Sequence, residues 1–184
     1  MEPRWIDQPT APSSLPHLAL LRVPPGNGLY GVLTSPKPIG VQTHYMGRRT
    51  LPCVSEACPG CLARLATRDE WYTGLWTGSP SKHVIAALTP AVAWELTDKL
   101  QPRLNFRGIK VHLTRAGKAA NSRLLLTLPD PENLFTSIPD EPDLRAHLLH
   151  IWGFDQGELT RDGADYADRV RKAFKSNGST ADAH

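Results

Sequence analysis

From residue 29 to residue 128, apolar and polar side chains alternate in short runs, the period of two expected where strands bury one face. Residues 29–33 and 39–45 form two such runs separated by Pro36 and Pro38, so a single strand broken by a bend is predicted there. In the second run Ile39, Val41, Thr43 and Tyr45 share one face, and Gln42 and His44 share the other. Residues 71–77 (WYTGLWT) and 82–88 carry the aromatic and β-branched content of two further strands, joined by a turn at Gly78, Ser79 and Pro80. The period then changes. Thr89 and Pro90 mark a helix start, Val92, Leu96 and Leu100 recur on one face, and Pro102 stops the helix. Residues 107–115 and 123–128 return to alternation around a hairpin loop containing Gly117 and Asn121, with Ile109, Val111, Leu113, Leu124, Leu126 and Leu128 predicted inward.

The flanks follow neither period. Residues 1–28 hold Pro3, Pro9, Pro12, Pro16, Pro24 and Pro25, which oppose a helix and predict an extended arm with a short strand near 18–23. Beyond Pro129 the stretch DPENLFTSIPDEPD is acidic and proline-rich, and is expected to wrap the surface as a linker. Two short helices, residues 144–152 and about 162–175, and a disordered tail complete the predicted plan. The domains are therefore an N-terminal arm (1–28), a β-barrel (29–128) and a C-terminal segment (129–184). Strand, strand, strand, helix, strand, strand is the order of the OB-fold, a five-stranded barrel with its helix between the third and fourth strands. A mainly β, OB-like barrel is the expectation, although another small barrel or an α+β sandwich can be built from the same elements.

All three cysteines of the chain lie in the stretch HYMGRRTLPCVSEACPGC at residues 44–61. Cysteines that merely fill a core have no reason to cluster in this way. Three thiolates and one imidazole make a complete tetrahedral ligand set for Zn2+, and Pro59 and Gly60 suit a tight turn aiming Cys58 and Cys61 at one point. A closed, structural zinc site of His44, Cys53, Cys58 and Cys61 is expected. An iron–sulfur cluster of the Cys-x4-Cys-x2-Cys kind needs a fourth cysteine that this chain does not contain. His83 and His112 compete with His44 for the fourth position, and His44 is the nearest in sequence.

Charge adds a partner to this picture. The net charge is only +3, but residues 36–123 hold 13 Lys and Arg against 5 Asp and Glu, and the remaining 8 basic and 13 acidic residues lie outside that block. A basic middle with acidic flanks points to a polyanion. No apolar run is long enough to cross a bilayer and the N-terminus lacks a signal pattern, so a cytoplasmic protein with reduced cysteines and no membrane partner is expected.

Binding a single strand takes cations along a backbone track and flat rings beneath the bases. The candidates are Arg48 and Arg49 beside the metal loop, Tyr45, Tyr72 and Trp76 as stacking platforms, and Arg107, Lys110, His112 and Arg115 along the fourth strand, with Lys118 and Arg123 on the following hairpin. In its metal set and element order the chain resembles the zinc-containing single-stranded DNA-binding proteins of some phages, which carry a Cys3His site on an OB barrel. The resemblance implies a non-catalytic protein that binds single-stranded nucleic acid, DNA before RNA, in replication, recombination or mobile-element maintenance. The acidic C-terminal region would then contact a protein partner or compete for the basic groove. The alternative is a zinc-stabilised adaptor in a larger complex. No catalysis is expected: the His-x-Glu of zinc deaminases, the phosphate-binding Gly-x4-Gly-Lys-Ser/Thr loop, His-Glu-x-x-His and Gly-x-Ser-x-Gly are all absent from the sequence.

Overall fold

The computed structural model describes residues 17–46, 49–54, 58–78, 81–119 and 121–152. In chain order they form β1 (Ala19–Leu21), β2 (Gly28–Leu33), β3 (Ile39–Met46), β4 (Arg49–Pro52), the single-turn helix α1 (Pro59–Leu62), β5 (Thr67–Gly78) and β6 (Ser81–Leu88), then α2 (Pro90–Leu100), β7 (Lys110–Arg115), β8 (Leu124–Thr127) and α3 (Leu144–Ile151). The strands make one mixed sheet in the order β1-β6-β5-β2-β7-β8, with β3 pairing both β5 and β4. Leu33 pairs with Leu75 and Ile39 with Tyr72, so β2 and β3 are successive parts of one path along β5, interrupted at Pro36 and Pro38. That interruption follows from proline's missing N–H, which cannot join the ladder.

Alternation along the strands sorts two cores. Leu33, Leu75, Val84, Ala86, Leu88, Val111 and Leu113 point to one face, where Val92, Ala93, Leu96 and Leu100 of α2 meet them. Helix α2 starts where the sequence places it: the Thr89 hydroxyl accepts from the Val92 N–H at 3.4 Å, Pro90 occupies the first turn, and the helix ends ahead of Pro102. Burial of each large α2 side chain contributes about 1.5–3 kcal/mol. On the other face Tyr72, Ile85 and Ala87 join Ile39 and Val41 of β3 and are covered by Leu144 and Leu148 of α3.

The expected closed five-stranded barrel is not what forms. Eight strands lie in an open sheet, and among the described residues no ladder joins β8 to β6 or to β1. The edge of β6 is instead taken by β1, parallel, with Ala19 opposite Val84. The predicted arm therefore contributes a strand to the sheet. Arg115 spans the unpaired seam: its Nε donates to the Val23 carbonyl at 2.8 Å and its Nη1 to the Ser122 carbonyl at 2.6 Å. The helix expected over about 162–175 lies outside the described residues. Among those described, no helix is long and apolar enough to cross a membrane.

Candidate metal centre and sheet surface

The metal lobe grows from the end of β3. There the chain turns back into β4, pairing His44 with Leu51 and Thr43 with Pro52, and the Cys53 N–H continues the contact by donating to the Gln42 carbonyl at 2.7 Å. This hairpin brings Cys53 to His44. Helix α1 supplies Cys61, and Cys58 lies just before it. The α1 turn is ended by Arg64 in the left-handed region (φ 53), with the Leu65 N–H returning to the Gly60 carbonyl and the Arg64 N–H to the Cys61 carbonyl, a Schellman closure. A non-glycine residue is strained there by roughly 1–2 kcal/mol, and the closure aims the Leu65 carbonyl at the His44 ring.

The consequence is a defined tautomer. Nδ1 of His44 donates to that carbonyl at 3.1 Å, which leaves Nε2 with its lone pair toward the sulfurs. His44, Cys53, Cys58 and Cys61 each place one ligand atom within 4.8 Å of all the others, a set compatible with one metal ion. The Cys53 and Cys61 sulfurs are 3.6 Å apart, and Cys61 Sγ lies 3.4 Å from His44 Nε2. Gly60 is required by this crowding, because a Cβ on it would meet His44 Cγ at 2.5 Å. Burial, together with the neighbouring Cys53 and Cys58, pushes the Cys61 thiol up to about 11. A cation among the sulfurs would oppose that rise. Val54 and the side chains of Leu149 and Trp152 from the end of α3 close over the cluster.

His83 and His112, the rival fourth ligands, lie elsewhere. His83 Nε2 is 2.8 Å from the Thr34 hydroxyl, and burial, followed by the charges of His147 and Arg107, lowers its pKa below the usual 6.5. His112 stacks on Tyr30, with ring centroids 3.5 Å apart and 9° between planes.

The residues expected to form one nucleic-acid groove are not brought together. His44 pairs with Thr67 at the start of β5, whereas Trp76 lies near its far end and pairs with Val32, about 30 Å further along the strand at roughly 3.3 Å per residue. Tyr45 is exposed on the metal side; Arg48 and the side chain of Arg49 lie outside the described residues. Tyr72 is no stacking platform: it is fully buried, its hydroxyl donates to Glu70 at 2.6 Å, and its ring meets Trp152 edge-on. Arg107 is occupied as a brace, donating to the Thr34 carbonyl at 2.6 Å and the Pro139 carbonyl at 3.1 Å, and Arg115 bridges the seam described above. Trp76 lies against Phe135 and Lys110 reaches over the same Phe135 ring. Lys118 and Arg123 are exposed on the β7–β8 hairpin.

Sequence reasoning did not single out Tyr30. It is 64% exposed on the outer face of β2, directly opposite His112 of β7. The signal was available, since Leu29 and Leu33 point inward and the intervening parity must point out. Gly60 is legible in the sequence as a turn residue, but its close approach to His44, the Leu65 carbonyl and the Phe135 contacts join distant segments and carry no local pattern. In comparisons with known proteins, the chain matches no family model, no curated protein and no solved structure.

Proposed function

We propose that this chain is a non-catalytic single-stranded nucleic-acid-binding protein, with DNA as the preferred strand, built on an OB-like sheet and pinned by a structural zinc ion. The order of β2/β3, β5, β6, α2, β7 and β8, with a bent first strand along β5, supports the OB-like reading. For zinc the support is geometric. A tetrahedron with Zn–S bonds of about 2.3 Å has S–S edges of about 3.8 Å, close to the 3.6 Å between Cys53 and Cys61. Bound zinc would hold the thiolates and the lobe, with all four positions filled by protein.

The observation that carries the binding reading is the exposed Tyr30 ring stacked on His112. Lys110 lies beside it on the same face of β7, and Lys118 and Arg123 stand on the hairpin that follows. A preorganised ring offers one free π-face to a base at little entropic cost, and the lysines and arginine track the phosphates. Stacking requires an unpaired base, so duplex is excluded from this contact. The reading places replication, recombination or mobile-element maintenance ahead of an adaptor role. An adaptor using the metal loop and C-terminal helices would need their apolar faces outward, but Leu144, Leu148 and Leu149 of α3 are buried on the sheet and the metal lobe.

The test is anisotropy of labelled single- and double-stranded oligonucleotides with metal-loaded protein over a salt series. Single-strand binding that weakens steeply with salt, and a clear preference over duplex, are expected. Absence of single-strand binding in dilute buffer would falsify the reading.

A further inference from the structure

We infer that the segment after β8 holds a base-binding subsite shut, with Phe135 seated between Trp76 and Lys110 where a nucleobase would stack. The inference rests on the single-strand reading above and adds a second subsite and its intramolecular occupant.

In the OB-like reading β5 and β6 correspond to the second and third strands, whose face binds oligonucleotides in that fold. On this molecule the outer face of those strands is covered by its own C-terminal segment. Residues 129–143 cross it without helix or strand, and α3 follows over Tyr72 and Ile85. The crossing is a seated one. The Phe135 N–H donates to the Gly108 carbonyl at 2.7 Å, and Gly108 (φ 85) is so close that a Cβ would meet the Phe135 carbonyl at 2.6 Å. Glu132 pairs with Arg103 at 2.7 Å, and Arg107 holds the Pro139 carbonyl.

What the strap presents to the sheet has the chemistry of a nucleic-acid strand. Residues 129–143 contain five acidic residues (Asp130, Glu132, Asp140, Glu141 and Asp143) and no basic one, around a single aromatic ring. They lie over Arg103, Arg107 and Lys110. The Phe135 ring is 6.1 Å from the Trp76 ring, tilted by 44°, and Lys110 Nζ is 5.4 Å from its centroid. A ring tilted against tryptophan, a cation over that ring, a carboxylate on Arg103 and a backbone carbonyl on Arg107 occupy with amino-acid groups the positions that a base and its phosphates would take. Phe135 nevertheless stays 41% exposed, so it is docked on the sheet without being part of a core. Val32 pairs with both Trp76 and Lys110, one alternation from the Tyr30–His112 pair on β2. The covered and open subsites are therefore neighbours on one face, and consecutive bases reach both once Phe135 leaves.

The experiment uses the full zinc-loaded chain and a fluorescein-labelled oligo-dT of about 15 nucleotides. Phe135→Ala is expected to bind it about five- to tenfold more tightly than the unmodified chain, because a competing occupant is removed. Glu132→Gln, at an exposed position that no core depends on, is expected to tighten binding about twofold at low salt. In the unmodified chain the Phe135 amide should exchange with deuterium faster when the oligonucleotide is bound, since its bond to Gly108 is lost. A Phe135→Ala protein that binds no more tightly, or a Phe135 amide that becomes better protected, overturns the strap while leaving wild-type binding intact. If neither the unmodified chain nor the variants bind, the single-strand reading fails with it.

Discussion

Around α2 the described residues bury sixteen apolar side chains in one cluster, whereas around Cys58 they bury four, two of which are sulfur ligands. The first region can pay for its chain entropy by removing apolar surface from water. The second cannot, because Val54 and Leu149 are the only large hydrocarbons in its buried cluster. What holds it must come from elsewhere: α3 packed across both regions and, on the proposed reading, a metal ion on the four converging ligands. On that reading the lobe is the part whose folding is conditional.

Metal removal should separate the two regions most sharply. Structural zinc binding supplies on the order of 10 kcal/mol in small metal-dependent folds, more than this lobe gains from its own packing. Chelation, or Cys58→Ser, is expected to abolish hydrogen-exchange protection through β4 and α1 while β6 and α2 keep theirs. If exchange at residues 49–66 is unchanged after verified metal loss, the lobe stands on packing alone and the contrast disappears. The reverse perturbation is Leu96→Ala, which removes a side chain that is 1% exposed within the large cluster. It should lower global stability by about 2–5 kcal/mol, measured by urea denaturation, with the metal still bound until the cooperative transition.

A smaller probe acts on the metal ligand without deleting it. Gly60→Ala puts a methyl group against His44 Cγ, so the imidazole must rotate away from the sulfurs or the α1 turn must move. Metal affinity should fall about 10- to 100-fold, the range found when a ligand loses its orientation, as read by competition with a chromophoric chelator. Unchanged affinity would mean that His44 is dispensable as a ligand.

How much of this the sequence made legible depended on whether the information was local. The clustering of Cys53, Cys58 and Cys61 behind His44 could be read because metal ligands at short spacing need no knowledge of the fold. Helix α2 could be read because its cap, its first-turn proline and its stop lie within a few residues. The open sheet could not. The pairing of β1 with β6 joins residues 19–21 to residues 84–86, and nothing in a three-residue strand names its partner. The same limit misplaced the groove: alternation correctly set Lys110 and His112 outward, but only the ladder shows that Val32 and Trp76 adjoin them while Tyr72 lies beneath α3. Arg107 and Arg115 looked like surface cations by composition and serve instead to hold backbone carbonyls.

The open face of β2 and β7 should respond independently of both regions. Tyr30→Ala removes an exposed ring, so stability should change by no more than about 0.5 kcal/mol, while oligonucleotide binding loses about 1–3 kcal/mol. Affinity and melting temperature measured on the same preparation decide the matter: a large drop in stability would make Tyr30 a packing residue and remove it as a platform.

The mildest separation uses acid. His147 sits in α3, buried, with its Nδ1 accepting from the Leu18 N–H at 3.3 Å. Burial lowers its pKa below 6.5; the nearby His17 and His150 lower it further, and Asp143 opposes them. The folded chain therefore binds its proton less readily than the unfolded chain does. Stability from this residue is fully present above pH 6.5 and is lost as the pH falls through 6.5 toward the lowered folded value. His83, lowered by burial and by His147 and Arg107, adds a loss of the same sign. Protonation of the metal ligands would also weaken the lobe in acid, so the control must spare them. His147→Asn keeps an acceptor for the Leu18 N–H but cannot titrate. It should flatten part of the decline in melting temperature below pH 6.5 and leave the values above it unchanged. If the acid limb of the variant superimposes on that of the unmodified chain, the docking of α3 is insensitive to His147, and the decline belongs to the metal lobe.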